Sequence, residues 1–206
     1  PVGSLMYDIY VSGRYAYATF DGLDDKPFKI IDVSNPYSPE IISELQFPAG
    51  INPRGLYVSG KYAYIANYVS GSTRRIYIID ISNASSPQIE SYYDLPAPYR
   101  PFDIYVSGRY IYAITTGEGQ SDLLIIDISN PSKPEMKSSY TFGVTATALY
   151  VSGKYAYIIE NNSKISPCAI SIFDSIIIPN SNPSSTALVF IFPFSRFTIF
   201  PRPISN

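Results

Sequence analysis

The stretch "YVSGKYAYI" occupies Tyr57 to Ile65 and returns unchanged from Tyr150 to Ile158. Near-copies stand at 10–18 ("YVSGRYAYA") and 105–113 ("YVSGRYIYA"). Four spellings of one nonapeptide make internal repetition the first question, because a fixed period governs every later reading. The "VSG" triplets begin at Val11, Val58, Val106 and Val151, at spacings of 47, 48 and 45 residues. A second marker follows each: "FKIID" (28–32), "IYIID" (76–80), "LLIID" (123–127) and "ISIFD" (170–174). Its terminal acids, Asp32, Asp80, Asp127 and Asp174, are 48, 47 and 47 residues apart, so a unit of about 47 residues occurs four times.

The second copy shows what a unit builds. "RGLYV" (54–58) meets "YAYIA" (62–66) across Ser59-Gly60-Lys61, a short Gly-containing hairpin turn. "RIYIIDI" (75–81) then meets "QIESYYDL" (88–95) across "SNASSP", whose Asn and Ser bond their own backbone and whose Pro ends the pairing. No stretch carries a sustained helical period, so the chain reads as all-β. Runs such as "IYIID" and "LLIID" are too continuously apolar for a sheet with one wet face. A four-stranded sheet buried on both faces and repeated at this period is a β-propeller blade. The expected blades are 5–48, 49–96, 97–143 and 144–192 of a single domain spanning 1–206, with 193–206 as an irregular tail. Register is lost after Asp174, where "ALVFIF" (187–192) is the expected outer strand. Four blades are near the lower limit for closure, and the chain is expected to be a fragment of a larger propeller.

Composition narrows the function classes. The chain has 206 residues, 46% hydrophobic and 16% charged, with 20 Tyr, 11 Phe and no Trp, which is a globular composition. A net charge of -2 with scattered basic residues gives no cationic field for nucleic acid. There is no histidine, which removes Ser-His-Asp and Cys-His catalysis and most zinc-hydrolase sites. The single cysteine, Cys168, excludes an internal disulfide, and its irregular setting argues against a nucleophile. No signal peptide or membrane span is visible in the sequence as it stands.

The pentapeptides "FKIID", "IYIID" and "LLIID", preceded by "VSG.YAY" and followed by "[IV]SNP.SPE", resemble the LVIVD repeat. That repeat forms propellers in bacterial and archaeal proteins and is often surface-associated. The likeness covers 5 to about 174 and implies a β-propeller; it carries over no catalytic residue.

Candidate residues follow from blade geometry. The first-to-second and third-to-fourth strand turns share one face and barely vary among the copies. The opposite face carries the second-to-third loops and the interblade connections, which differ in every copy, and partner-specific contacts are expected there. Arg54, Arg74, Arg75, Tyr99 and Arg100 are the candidate partner-binding residues, because Arg and Tyr anchor interfaces. Asp21, Asp24 and Asp25, with Asp8 nearby in sequence, match no calcium-loop spacing and read as a solvated acidic loop. Asp8 and Asp103 take equivalent places at the start of an inner strand where the other copies have Gly55 and Ala148. Half the copies lack the carboxylate, which points to a local backbone hydrogen bond. Asp32, Asp80, Asp127 and Asp174 end a strand before a Ser-Asn turn and read as turn-holding acids.

The expected function is a non-enzymatic interaction or structural scaffold at the cell surface or outside the cell. It would bind a protein or glycan partner through one variable face, with no cofactor, metal or catalytic residue assigned. The alternative is a metal-dependent propeller hydrolase or lactonase, with carboxylate and Asn ligands at the channel mouth near Asp8, Asp103 or Asn67.

Overall fold

Each nonapeptide of the repeat is a hairpin, and each hairpin is the inner half of a blade. The computed structural model describes residues 4–21, 26–48, 51–68, 74–117, 120–142, 146–153, 155–160 and 170–171. Blade 1 is β1 (Met6–Ser12), β2 (Tyr15–Phe20), β3 (Phe28–Asp32) and β4 (Glu40–Leu45), antiparallel neighbours in chain order. Blade 2 is β5 (Pro53–Ser59), β6 (Tyr62–Asn67), β7 (Arg75–Asp80) and β8 (Gln88–Asp94). Blade 3 is β9 (Arg100–Ser107), β10 (Tyr110–Gly117), β11 (Gln120–Asp127) and β12 (Glu135–Phe142). Blade 4 is described as β13 (Ala146–Ser152), β14 (Tyr155–Glu160) and β15 (Ile170–Ser171). Its expected outer strand at 187–192, Asp174 and the tail lie outside the described residues. The protein is an all-β propeller, and no helix among the described residues is long and apolar enough to cross a membrane.

The turn between first and second strands explains the glycine of "VSG". Gly13, Gly60, Gly108 and Gly153 sit at φ of 61, 59, 58 and 56°, the left-handed region that a side chain penalises and glycine enters freely. The carboxylate closing the third strand holds two turns together. Asp32, Asp80 and Asp127 accept the N–H of Ser34, Ser82 and Ser129 at 2.9, 2.8 and 2.9 Å. They also pair with Arg14, Lys61 and Arg109 of the neighbouring hairpin turn. These contacts hold all three carboxyls below the usual range, as the turn-holding assignment requires.

The unbroken apolar third strands are explained by burial on both faces. In β7, Tyr77 and Ile79 enter the core shared with blade 1, and Ile76 and Ile78 enter the core shared with blade 3. Each such Ile contributes about 1.5–3 kcal/mol by leaving water. A third core joins Tyr112, Ile114 and Leu123 of blade 3 to Leu149 and Val151 of blade 4. At the outer rim, Ser43 donates to the carbonyl of Ala84 at 2.6 Å and Ser91 to that of Pro131 at 2.5 Å, latching blade 1 to blade 2 and blade 2 to blade 3.

Candidate functional site

The innermost strands β1, β5, β9 and β13 stand side by side around the channel of the propeller. Each is bulged near its start: the register jumps between Met6 and Asp8, Pro53 and Gly55, Pro101 and Asp103, and Ala146 and Ala148. The bulge lies at the end of the strand next to the variable loops, where bulges re-aim side chains.

The residue after each bulge is Asp8, Gly55, Asp103 or Ala148, and the structure explains the alternation. Asp8 accepts the N–H of Ile9 on its own strand at 2.8 Å and that of Leu56 on the next inner strand at 2.7 Å. Asp103 accepts the N–H of Ile104 at 2.8 Å and that of Leu149 on the next strand at 2.8 Å. Ile9, Leu56, Ile104 and Leu149 are equivalent positions of the four blades. Two carboxylates therefore satisfy four backbone donors, and every second blade needs none of its own. The expected backbone hydrogen bond is present, and half of it reaches across to the next blade.

Burial raises the Asp8 carboxyl above its ordinary value despite its bonds to Leu56 and Ile9. Asp103 is pushed up to about 6, mainly by burial and further by the charge of Asp8, against its bonds from Leu149 and Ile104. The two acids thus feel each other along one channel. Two residues further along the same strands, Tyr10, Tyr57, Tyr105 and Tyr150 form a belt with ring centroids 4.9, 4.6 and 5.3 Å apart. Burial, and then hydroxyl hydrogen bonds with Tyr105 and Tyr10, raise the ionisation of Tyr57 and keep it protonated. The sequence carries this belt as the first letter of the nonapeptide. A Tyr that each copy needs only for packing reads the same as one that lines a channel.

The five candidate binding residues occupy different settings. Arg54, at the bulge of β5, lies between two rings, 4.1 Å from the Tyr7 centroid and 5.5 Å from that of Tyr68. Arg75 donates to Asp94 at 2.5 Å and stacks 4.0 Å over Tyr92, so it is committed to the outer strands of blade 2. Arg74 holds the chain after β8, its carbonyl accepting the Leu95 N–H at 2.9 Å. The Tyr99 N–H donates to Pro96 at 3.1 Å, and its ring packs on the core between blades 2 and 3. Arg100 pairs with Thr116 at the start of β9. The Nε atoms of Arg54, Arg74 and Arg100 are buried without a hydrogen-bond partner. The five share no hydrogen bond or ring contact with one another among the described residues.

The residues named with the metal alternative and the acidic loop sit as follows. Asn67 is buried and its Oδ1 accepts the Asn52 N–H at 2.6 Å, tying down the connection from blade 1. Asp21 is buried and donates its N–H to Leu5 at 2.8 Å, while Asp24, Asp25 and Cys168 lie outside the described residues. Among the described residues, no three His, Cys, Asp or Glu side chains gather into one cluster.

Comparison with known proteins adds the remaining facts. The LVIVD repeat model matches residues 6–45, 52–94, 102–142 and 144–166. No curated protein matches the chain in sequence. Among solved structures, the periplasmic gluconolactonase of Pseudomonas aeruginosa, PpgL, superposes with a TM-score of 0.63 at 18% identity, over 78% of this chain and 48% of its own. A putative 6-phosphogluconolactonase of Bacteroides fragilis gives a TM-score of 0.62 at 14% identity, over 75% of this chain and 47% of its own. A second, of Bacteroides uniformis, gives 0.62 at 20% identity with coverages of 75% and 47%. The chain spans about half the length of these structures. At such identities the likeness is one of fold.

These neighbours correct the expectation of a non-enzymatic scaffold. The blade arrangement that motivated it is, in these solved structures, that of a gluconolactonase and two putative 6-phosphogluconolactonases. The absence of histidine leaves such chemistry open, because carboxylates alone can supply a general base when their pKa is raised.

Proposed function

The chain belongs to the LVIVD repeat family, and from that premise we infer that it forms the site of a propeller hydrolase that opens a sugar-acid lactone. The observation that carries this reading is the Asp8–Asp103 pair at the channel, with Asp103 pushed up to about 6 beside a second raised carboxyl. A base of that strength is largely ionised at neutral pH yet still takes a proton readily. Each of its oxygens accepts one N–H and keeps a second lone pair for water.

In the proposed step, Asp103 takes a proton from a water as its oxygen adds to the lactone carbonyl. The ring C–O bond then breaks, and the proton passes to the departing alkoxide to give the open hydroxy acid. The Tyr57 hydroxyl, held protonated two residues further along the neighbouring inner strand, is the donor proposed for the developing oxyanion. The variable loops at the same end of the strands select the substrate. The fold likeness to lactonases supports the substrate class, and gluconolactone is the first compound to try.

The test is a pH-stat assay of lactone opening by the purified chain. The rate is expected to rise through about pH 6 and level off. Asp103→Asn is expected to lower kcat/KM by about 100-fold or more and to abolish that limb. Unchanged turnover with the limb intact in the folded Asn variant defeats the reading.

A further inference from the structure

The arginines among the described residues divide into two sets. Arg14, Arg75 and Arg109 each pair with an aspartate, Asp32, Asp94 or Asp127, and hold turns or strands of their own blade. Arg54, Arg74 and Arg100 have no carboxylate partner among the described residues, and the Nε of each is buried without a hydrogen-bond acceptor. All three stand on the variable face. The stretches that carry them, 47–54, 67–75 and 95–101, contain no acid, so this sector presents a positive field to an approaching anion.

Arg54 is the member of this set at the channel. It is the extra residue of the β5 bulge, one position before Gly55, and Tyr7, Phe102 and Thr147 take the equivalent places in the other inner strands. These bulge residues line the channel mouth, each one residue from Asp8, Gly55, Asp103 or Ala148. The Arg54 guanidinium lies 4.1 Å from the Tyr7 ring centroid and 5.5 Å from that of Tyr68, and Tyr68 meets Phe102 edge-on at 5.8 Å. One cation is thus set in a run of rings that reaches from blade 1 to blade 3. A guanidinium held against rings keeps its donors in the plane of the fork, where they meet a carboxylate or phosphate in pairs.

The acids beside it do not neutralise this charge. Asp8 and Asp103 are both raised, and Arg54 draws neither of them down. Gly55 brings the two sites together, since a Cβ there would meet the Asp103 Cα at 2.9 Å and the Phe102 carbonyl oxygen at 3.2 Å. A small molecule seated at Asp103 therefore has Arg54 on the adjacent strand.

We propose that Arg54 is the specificity residue of the channel mouth and receives an acidic group, carboxylate or phosphate, at the end of the lactone remote from its carbonyl. The nature of the ligand rests on the lactonase reading; the anion site itself does not. Tyr7, Tyr68 and Phe102 hold the guanidinium and offer apolar faces to the carbon chain. Asp8 and Asp103 repel an anion while Arg54 attracts one, so a ligand with one acidic end enters in a single direction, its carbonyl at Asp103.

The test is binding rather than turnover: isothermal titration calorimetry of the purified chain with gluconate, glucarate and 6-phosphogluconate. These open-chain acids differ only at the far carbon, which ends in a hydroxyl, a carboxylate or a phosphate. At least one of the two with a far anion is expected to bind about 10-fold or more tighter than gluconate, and which one does so identifies the group. Arg54→Gln keeps a planar side chain without the charge and is expected to erase that advantage while leaving gluconate binding unaltered. Arg75→Gln removes a cation committed to Asp94 and is expected to preserve the advantage. Equal binding of the three acids by the parent, an advantage that survives Arg54→Gln, or one lost equally in Arg75→Gln overturns the proposal. The comparison within the parent needs no variant, so it decides even where a substitution fails to fold. Tight anion binding through Arg54 without lactone opening defeats the lactonase reading alone, and lactone opening without the advantage defeats this site alone.

Discussion

Where blade 1 meets blade 2, the Asp8 carboxylate fills the gap between inner strands and bonds the Leu56 N–H at 2.7 Å. Where blade 2 meets blade 3, Gly55 leaves no gap to fill: a Cβ there would stand 2.9 Å from the Asp103 Cα and 3.1 Å from the Ile104 nitrogen. One repeat thus makes two kinds of joint, bridged and close-packed, and uses them in turn. The charge on the acids explains why the bridge is not used everywhere. Asp103 already feels the charge of Asp8, and carboxylates at all four positions would crowd like charges at half-buried sites. Because each acid reaches donors on two strands, two acids suffice.

The close-packed joint should be the more brittle. Gly55→Val puts a branched side chain where backbone stands within contact distance, so nothing flexible can yield. The expected loss is about 3 kcal/mol of stability, at the upper end for overpacking, read as a shift in the urea midpoint. A loss under about 0.5 kcal/mol, typical of an indifferent surface change, would show that the strands separate freely and that the distinction between joints is false.

The bridged joints should weaken next. Asp103→Ala strands the N–H groups of Ile104 and Leu149 together, and Asp8→Ala does the same to Ile9 and Leu56. Unsatisfied donors at half-buried positions cost about 2 kcal/mol per variant. Asp103, with its closer burial, should show the larger effect. The sites lie on different joints and share no donor, but Asp103 feels the charge of Asp8, so the double variant should lose slightly more than the sum of the singles. Denaturation midpoints for the two singles and the double measure this, and equal indifference at both positions would remove the bridge.

Much of this architecture is legible in the letters. The 47-residue period, the glycine of "VSG" and the acid ending "IYIID" each have a local cause, and the structure supplies it within a few residues of the letter. The bridges are different. Asp8 and Leu56 are 48 residues apart, and Asp103 and Leu149 are 46 apart. No local pattern relates them, so alternation of Asp with Gly and Ala looks like indifference when it is a division of labour. The five arginine and tyrosine candidates were chosen by residue type on a variable face, whereas their roles depend on neighbours. Arg75 is committed to Asp94 and Tyr92, and Arg54 rests between Tyr7 and Tyr68. The lactonase reading stands in the sequence only as an alternative for a related reason: the repeat spells packing, and the raised carboxyl exists only once blades pack around it.

Acidity offers the finest separation of the two joints, because only the bridged one titrates. The Asp103 carboxyl ionises at about 6 when folded and near its ordinary value of 3.8 when unfolded. A raised carboxyl favours the folded state when protonated. Its contribution is full below the unfolded value and is lost as pH rises through about 6. The turn acids Asp32, Asp80 and Asp127 are lowered, so their contribution is lost only as pH falls, below the unfolded range. Between pH 5 and 7.5 the bridge therefore dominates, with Asp8 adding in the same direction. Discounted for partial exposure, the expected loss across that window is about 1 kcal/mol, or about 3 °C in Tm for a chain of this size. Asp103→Asn should flatten most of the slope, whereas Gly55→Ala should shift the whole curve and leave its slope alone. A parent Tm that climbs with pH over this window would mean that the bridging carboxylates are stabilised by their donors more than burial penalises them.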